Sequence, residues 1–254
     1  MGMLDGVIRV FGGRTQTQDE APAHPTTAAV LVAAGASARM GEPKQLIPLL
    51  GIPVVARSLI ALETAALVDE IVLVAREEDM LQLYDMAKYY EITKLTKILP
   101  GGSSRQQSVA RGVSNVRDGT QFLAIHDGAR PLIKPEIADE VIRAAYRTSA
   151  AAAAVRVKDT VKQTDEHGFI VATPDRRCLW NVQTPQVFEY GLYIEALRLA
   201  CAQGREYTDD CQLMEQLGRR VLLCESDYAN IKITTPEDVA FAEGILRRRT
   251  GGGD

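Results

Sequence analysis

From residue 27 onward the chain alternates short apolar runs with longer stretches in which apolar residues recur every three or four positions. Residues 28–33 (AAVLVA) and 70–74 (EIVLV) are near-continuous apolar runs, the pattern of strands covered on both faces. Between them, residues 53–66 open on Pro53 and repeat apolar side chains at Val55, Leu59 and Leu62, which predicts a helix and completes a strand–helix–strand unit. A helix near 77–90, a strand near 95–99, a helix from 104 to about 116 and a strand over 121–126 continue the alternation. Ser103 or Ser104, followed three residues later by Gln106 or Gln107, predicts a capping box on the third of these helices. A helix beginning near Pro135 leads to a strand of very small side chains over 150–157. Helices near 189–202 and 209–217, a strand near 220–224 and a helix capped at Thr235 complete the series. The expected class is α/β, with a mostly parallel sheet between helices.

The rhythm breaks once. Residues 159–182 hold two alternating segments, TVKQ and FIVA, flanking a Thr-Asp-Glu-His-Gly turn, which predicts an inserted β-hairpin arm. An arm of this kind either contacts another subunit or stands as a bare surface hairpin. Residues 12–27 are polar and rich in Gly, Pro and Thr, so 1–27 reads as a flexible leader, 28–248 as one domain and 249–254 as a frayed tail.

Composition narrows the partners. Of 254 residues, 46% are hydrophobic and 24% charged, and the formal net charge is -4, which argues against a broad nucleic-acid-binding surface and leaves room for a local cationic cleft. No run approaches the roughly 18 apolar residues of a membrane span. With no signal peptide ahead of the first strand, and Gly6 where myristoylation wants Ser or Thr, the expected location is the cytoplasm. Cys178, Cys201, Cys211 and Cys224 form no C-x-x-C pair and read as structural or incidental thiols.

The densest chemistry lies over 28–44, AAVLVAAGASARMGEPK, where a buried strand runs into a loop of small residues carrying Arg39 and Lys44. Small side chains let backbone N–H groups approach anionic oxygens, the two cations add full charge, and the loop lies at a strand's carboxyl end, where open α/β sheets bind ligands. Neither G-x-G-x-x-G nor the P-loop pattern is present, so this is a different way to hold phosphate.

Four segments in order, AAGASARMGEPKQ (33–45), GGSSRQQSV (101–109), HDGARP (126–131) and NIKITTPED (230–238), resemble the 2-C-methyl-D-erythritol 4-phosphate cytidylyltransferase family. DTVK (159–162) and DRRCLWNVQTPQ (175–186) are similar to that family's arm and post-arm segments, so the resemblance spans roughly 27–246. It implies a Rossmann-like nucleotidyltransferase fold and transfer of the cytidylyl group of CTP to methylerythritol phosphate, with release of pyrophosphate and with magnesium present. It also implies a homodimer in which the arm reaches the other subunit's site.

Carried onto matching positions, the resemblance assigns Arg39 and Lys44 to stabilising the transition state on the triphosphate. Ala34, Gly35, Gly101, Gly102, Arg105 and Ser108 fall to CTP, and so does Asp127, through ribose hydroxyls or indirectly through a magnesium shell. Arg130, Thr160, Arg176, Thr184 and Lys232 fall to the acceptor, with Arg176 and Lys232 also counted as catalytic. Family members often carry an acidic residue where Ser103 stands. His126 has no second histidine or nucleophile motif beside it and reads as strand-end packing. A ribitol 5-phosphate cytidylyltransferase is the nearest rival reading, and a non-catalytic nucleotide-binding module a more distant one.

Overall fold

A computed structural model describes residues 6–10, 23–35 and 43–251. In chain order the elements are β1 (Ile8–Arg9), β2 (Thr27–Val32), β3 (Pro48–Leu49), β4 (Ile52–Pro53), α1 (Val54–Thr64), β5 (Glu70–Ala75), α2 (Met80–Tyr89), β6 (Leu95–Pro100) and α3 (Arg105–Val113). They continue with β7 (Phe122–Asp127), α4 (Pro135–Thr148), β8 (Ala150–Arg156), β9 (Gln163–Thr164), β10 (Ile170–Ala172), β11 (Trp180–Glu189), α5 (Tyr190–Ala202), α6 (Cys211–Gln216), β12 (Leu222–Glu225) and α7 (Pro236–Thr250).

Eight strands form one sheet in the order β1-β6-β5-β2-β7-β11-β8-β12. β6, β5, β2 and β7 run parallel, and so do β8 and β12, while β11 is antiparallel to both β7 and β8. Alternate residues of each strand feed two cores. Leu31 and Leu73 point to the face covered by α1, α2 and α4, through Leu59, Leu83 and Val141. Val30, Leu123 and Phe188 point to the other, covered by α3, α5 and α6 through Val109, Tyr193 and Met214. The five fully or almost fully buried alanines of β8, 150–154, give neither face bulk, so α4 and its neighbours approach the sheet closely. A third cluster joins the β3–β4 hairpin to α7 through Leu49, Ile233 and Ala242.

Four expectations change. Inside the stretch read as a leader, Ile8–Arg9 pairs antiparallel with β6, and Ile8 and Val10 pack on the first core; an alternation this short is hidden in sequence. At the other end α7 runs to Thr250, and Arg249 is held by the carbonyl of Leu132 at 3.0 Å. Residues 180–182 belong to β11 rather than to the arm, and β11 escapes sequence reading because Pro185 interrupts it at a register shift and Gln183 and Gln186 are buried polar residues. Finally, Asn-Ile-Lys-Ile-Thr, 230–234, reads in sequence as a buried strand, but it has no regular secondary structure and lies outside the sheet.

The arm itself is a two-stranded hairpin of β9 and β10. Its turn is set by Asp165, whose Oδ1 accepts from the backbone N–H groups of His167 (3.0 Å) and Phe169 (2.9 Å). Among the described residues no helix is long and apolar enough to cross a membrane.

Candidate functional site

The carboxyl ends of β2, β6 and β7 meet in one place. In register Val32 lies beside both Asp127 of β7 and Val74 of β5, and Val74 lies beside Leu99 of β6, so the loops that follow these strands leave the sheet together. A Cβ on Gly101 would stand 2.3 Å from the Cβ of Ala34, so only glycine lets the loop after β6 touch the loop after β2. Between these loops is a cavity of about 380 Å³, lined by Ala34, Gly35, Lys44, Arg105, Asp127 and Lys232 among others.

The wall formed by 101–108 is tied internally. Ser104 caps α3, its side chain accepting from Gln107 N–H at 3.3 Å, while the Gln107 side chain reaches Ser103 instead of closing the expected box on Ser104. Ser108 Oγ accepts from Gly102 N–H (3.0 Å) and donates to the carbonyl of Ser104 (2.9 Å). Its one proton is directed at the loop itself, so Ser108 shapes this wall of the cavity.

Asp127 is the electrostatic centre. Its carboxylate stands 2.8 Å from Lys232 Nζ, 3.3 Å from Arg105 Nε and 3.7 Å from Arg130 Nε. Burial alone would raise its pKa, but Arg105, Lys232 and Arg130 together outweigh burial and hold it well below the usual carboxylate range. The ammonium of Lys232, reached from an apolar segment, thus finds its counter-ion in Asp127. Arg105 makes a second ion pair, Nη1 to Asp210 at 2.7 Å; burial pulls its pKa down, and the two carboxylates more than reverse that.

A second cavity of about 140 Å³ shares Arg105, Asp127 and Lys232 with the first and adds Arg130, Gln183, Gln186, Thr208 and Asp209. Thr184 lies on its wall, yet its hydroxyl accepts from Asp127 N–H (3.0 Å) and contacts His126 Nδ1 (3.0 Å). The other ring nitrogen of His126 faces the carbonyl of Arg130 at 3.4 Å, and a carbonyl can only accept, so the imidazole proton is on Nε2 and Nδ1 takes the proton of Thr184. In this arrangement the hydroxyl of Thr184 seats Asp127 as well as lying on the wall of the second cavity. His126 is strand-end packing as expected, fully buried, with its pKa lowered to about 4 chiefly by burial.

Asn230, fully buried, joins these parts. Its Nδ2 donates to Gln183 Oε1 and to the carbonyl of Thr184, both at 3.0 Å, and its own carbonyl accepts from Arg130 Nη1 at 2.8 Å.

Of the residues expected at the site, Ala34, Gly35, Lys44, Gly102, Arg105, Ser108, Asp127, Arg130, Thr184 and Lys232 line one or both cavities, and Gly101 supports the first. Arg39 lies outside the described residues. Thr160 and Arg176 are not brought to this site within one chain: both are exposed on the arm, where Arg176 Nη1 donates to the carbonyl of Lys158 at 2.9 Å. Sequence reading missed Asp209, Asp210, Gln186 and Asn230. The acidic pair before α6 was visible as a helix start, and nothing in its spacing pointed at Arg105, some hundred residues earlier.

No group of three or more His, Cys, Asp or Glu side chains placed to hold a metal ion exists among the described residues. Among the described residues Asp127 is the single carboxylate on the first cavity's wall, and it already faces three cations. The described residues therefore do not make a protein-built cage for magnesium, whereas an ion carried in on phosphate oxygens needs none.

Comparison with known proteins points the same way. The family model of 2-C-methyl-D-erythritol 4-phosphate cytidylyltransferase matches residues 27–248. The protein of that name from Caldanaerobacter subterraneus subsp. tengcongensis is 47% identical over 224 residues, 87% of this chain and 98% of its own length. Its counterpart from Desulforamulus reducens is 44% identical, over 87% of this chain and 96% of its own. Among solved structures, the 4-diphosphocytidyl-2C-methyl-D-erythritol synthase of Anaerococcus prevotii superposes with a TM-score of 0.81 at 30% identity, covering 88% of this chain and 97% of that one.

Proposed function

The chain belongs to the 2-C-methyl-D-erythritol 4-phosphate cytidylyltransferase family, and from that premise we propose that its two joined cavities are the nucleotide and acceptor halves of one cytidylyl-transfer site. The enzyme transfers the cytidylyl group of CTP to 2-C-methyl-D-erythritol 4-phosphate, releasing pyrophosphate and forming 4-diphosphocytidyl-2-C-methyl-D-erythritol. The observation that carries this reading is the shared wall: Arg105, Asp127 and Lys232 line both cavities, with Lys44 on one side and Arg130 on the other.

The chemical obstacle is repulsion between two polyanions. An acceptor phosphate oxygen, already ionised, forms a bond to the α-phosphorus while the bond from that phosphorus to the bridging oxygen of pyrophosphate breaks. No general base is needed. The protein's task is to hold the reactants in line and to place cations where charge gathers. Lys44, together with Arg39, serves the triphosphate; Lys232 and Arg130 serve the acceptor phosphate; Asp127 keeps Lys232 aimed across the shared wall and faces the ribose hydroxyls. Magnesium, when bound to the triphosphate, supplies further charge neutralisation, and Asp127 is the residue here that would hold its water shell. The exposed arm is the source of Thr160 and Arg176 for the acceptor site of a second copy, which makes the working unit a homodimer, operating in the cytoplasm.

The test is pyrophosphate release with CTP and magnesium, comparing methylerythritol 4-phosphate with ribitol 5-phosphate. Strong preference for the former is expected, and the reverse preference would move the chain to the rival acceptor. Lys44→Ala is expected to lower turnover by about 100- to 1,000-fold with folding intact; near-normal turnover would remove Lys44 from the mechanism.

A further inference from the structure

Arg105 is held between two carboxylates of different standing. Asp127 lines both cavities, but Asp210 lines neither, is 2% exposed, and makes the shorter contact, 2.7 Å to Nη1 against 3.3 Å from Asp127 to Nε. Asp210 is fixed in turn from two sides. Its Oδ1 accepts from the hydroxyl of the fully buried Tyr193 at 2.7 Å, and its backbone N–H donates to Gln186 Oε1 at 3.0 Å. Gln186 comes from β11 and Tyr193 from α5, so two core elements hold one buried residue, the first by its backbone and the second by its side chain.

A guanidinium beside one lone carboxylate closes onto it as a two-bonded fork. With only Asp127 available, Arg105 would do so, drawn toward Asp127, while the second lone pair of Oδ2 still accepts from Lys232. We infer that Asp210, anchored by Tyr193, is the positioning residue that draws Arg105 back from Asp127 and fixes the guanidinium on the wall of the nucleotide cavity. The inference rests on the cytidylyl-transfer reading and deepens its nucleotide half. It assigns Tyr193 and Asp210 an effect on CTP that is transmitted only through Arg105.

The experiment uses the full chain with Tyr193→Phe and Asp210→Asn, measuring CTP binding by calorimetry without acceptor and KM for each substrate. Tyr193→Phe removes one hydrogen bond to a charged group and is expected to raise the CTP Kd and KM roughly fivefold, and Asp210→Asn roughly thirtyfold. The acceptor KM and kcat should stay within about twofold, because Lys232 and Arg130 keep their partners. In an Arg105→Lys background, adding Tyr193→Phe should change the CTP Kd by less than about twofold, since the route is already cut. Unchanged CTP binding in both variants with only a lowered Tm, or an equal effect of Tyr193→Phe with and without Arg105, would overturn the inference. If Asp210→Asn fails to fold, Tyr193→Phe and the cycle with Arg105 still decide the question. A wild-type protein that binds no CTP would instead overturn the underlying reading.

Discussion

Acid should weaken this fold through one buried side chain, His126. His126 is fully buried behind Asp127 and neutral, its Nδ1 accepting from Thr184. Burial is the largest cause of its lowered pKa, about 4 against an ordinary 6.5; the pull of Asp127 opposes it, and Arg130 and Lys232 reinforce it. The unfolded chain therefore takes up a proton near 6.5 that the folded chain refuses until near 4, and stability present above 6.5 is lost as pH falls through that window. The slope is about 1.4 kcal/mol per pH unit, which gives about 2 kcal/mol between pH 7 and pH 5 and about 3 kcal/mol over the whole window. Protonation would also place a second N–H against Thr184, forcing its hydroxyl to turn and weakening the seat of Asp127. Urea unfolding of the wild type and of His126→Asn, each at pH 7 and pH 5 and at equal protein concentration, isolates the effect. His24 and His167 are common to both proteins and cancel in the comparison. The variant should lose about 2 kcal/mol less on acidification. Equal losses in the two proteins, within about 0.5 kcal/mol, would refute the reasoning.

Two further outcomes follow from packing and from the arm. A Cβ at Gly112 would stand 2.4 Å from Val30 Cγ1 and 3.0 Å from Val74 Cγ2, where α3 lies on the sheet. Gly112→Ala should therefore destabilise by about 1–2 kcal/mol despite the better helix propensity of Ala, and an unchanged or raised Tm would contradict that packing. If the arm serves the site of a second copy, mixing inactive Lys44→Ala and Arg176→Ala proteins should restore roughly a quarter of wild-type activity, because half of the random dimers then contain one intact site. Activity that stays at the sum of the separate proteins would place Arg176 elsewhere.

Sequence carried the parallel half of the sheet well, because β2, β5 and β7 are apolar runs whose pattern reflects burial on both faces. It missed β11, since a strand with Pro185 at its centre and buried Gln183 and Gln186 has no apolar period to read; those glutamines are buried because they bond to Asn230 and to Asp210. At the site the cations were legible from motifs, as were the glycines that let the loops touch. What was not legible is which hydroxyls are already engaged. Ser108 and Thr184 are ordinary donors by residue type, and only their partners, Ser104 and His126, show that each has given its proton away. The acids that hold Arg105 come from distant points of the sequence, the end of β7 and the start of α6, a pairing that tertiary structure alone creates.

The hairpin arm joins β8 to β11, which already lie side by side from the Arg156–Trp180 pair inward. Its two ends are thus clamped by the sheet whatever happens between them. Lengthening or shortening the segment costs only loop entropy, which grows slowly with length, and leaves the ladder, both cores and both cavities in place. The arm is in that sense an exchangeable cassette. Contacts made at its tip can be redesigned, or a foreign hairpin grafted, with the catalytic body of the protein as a fixed platform.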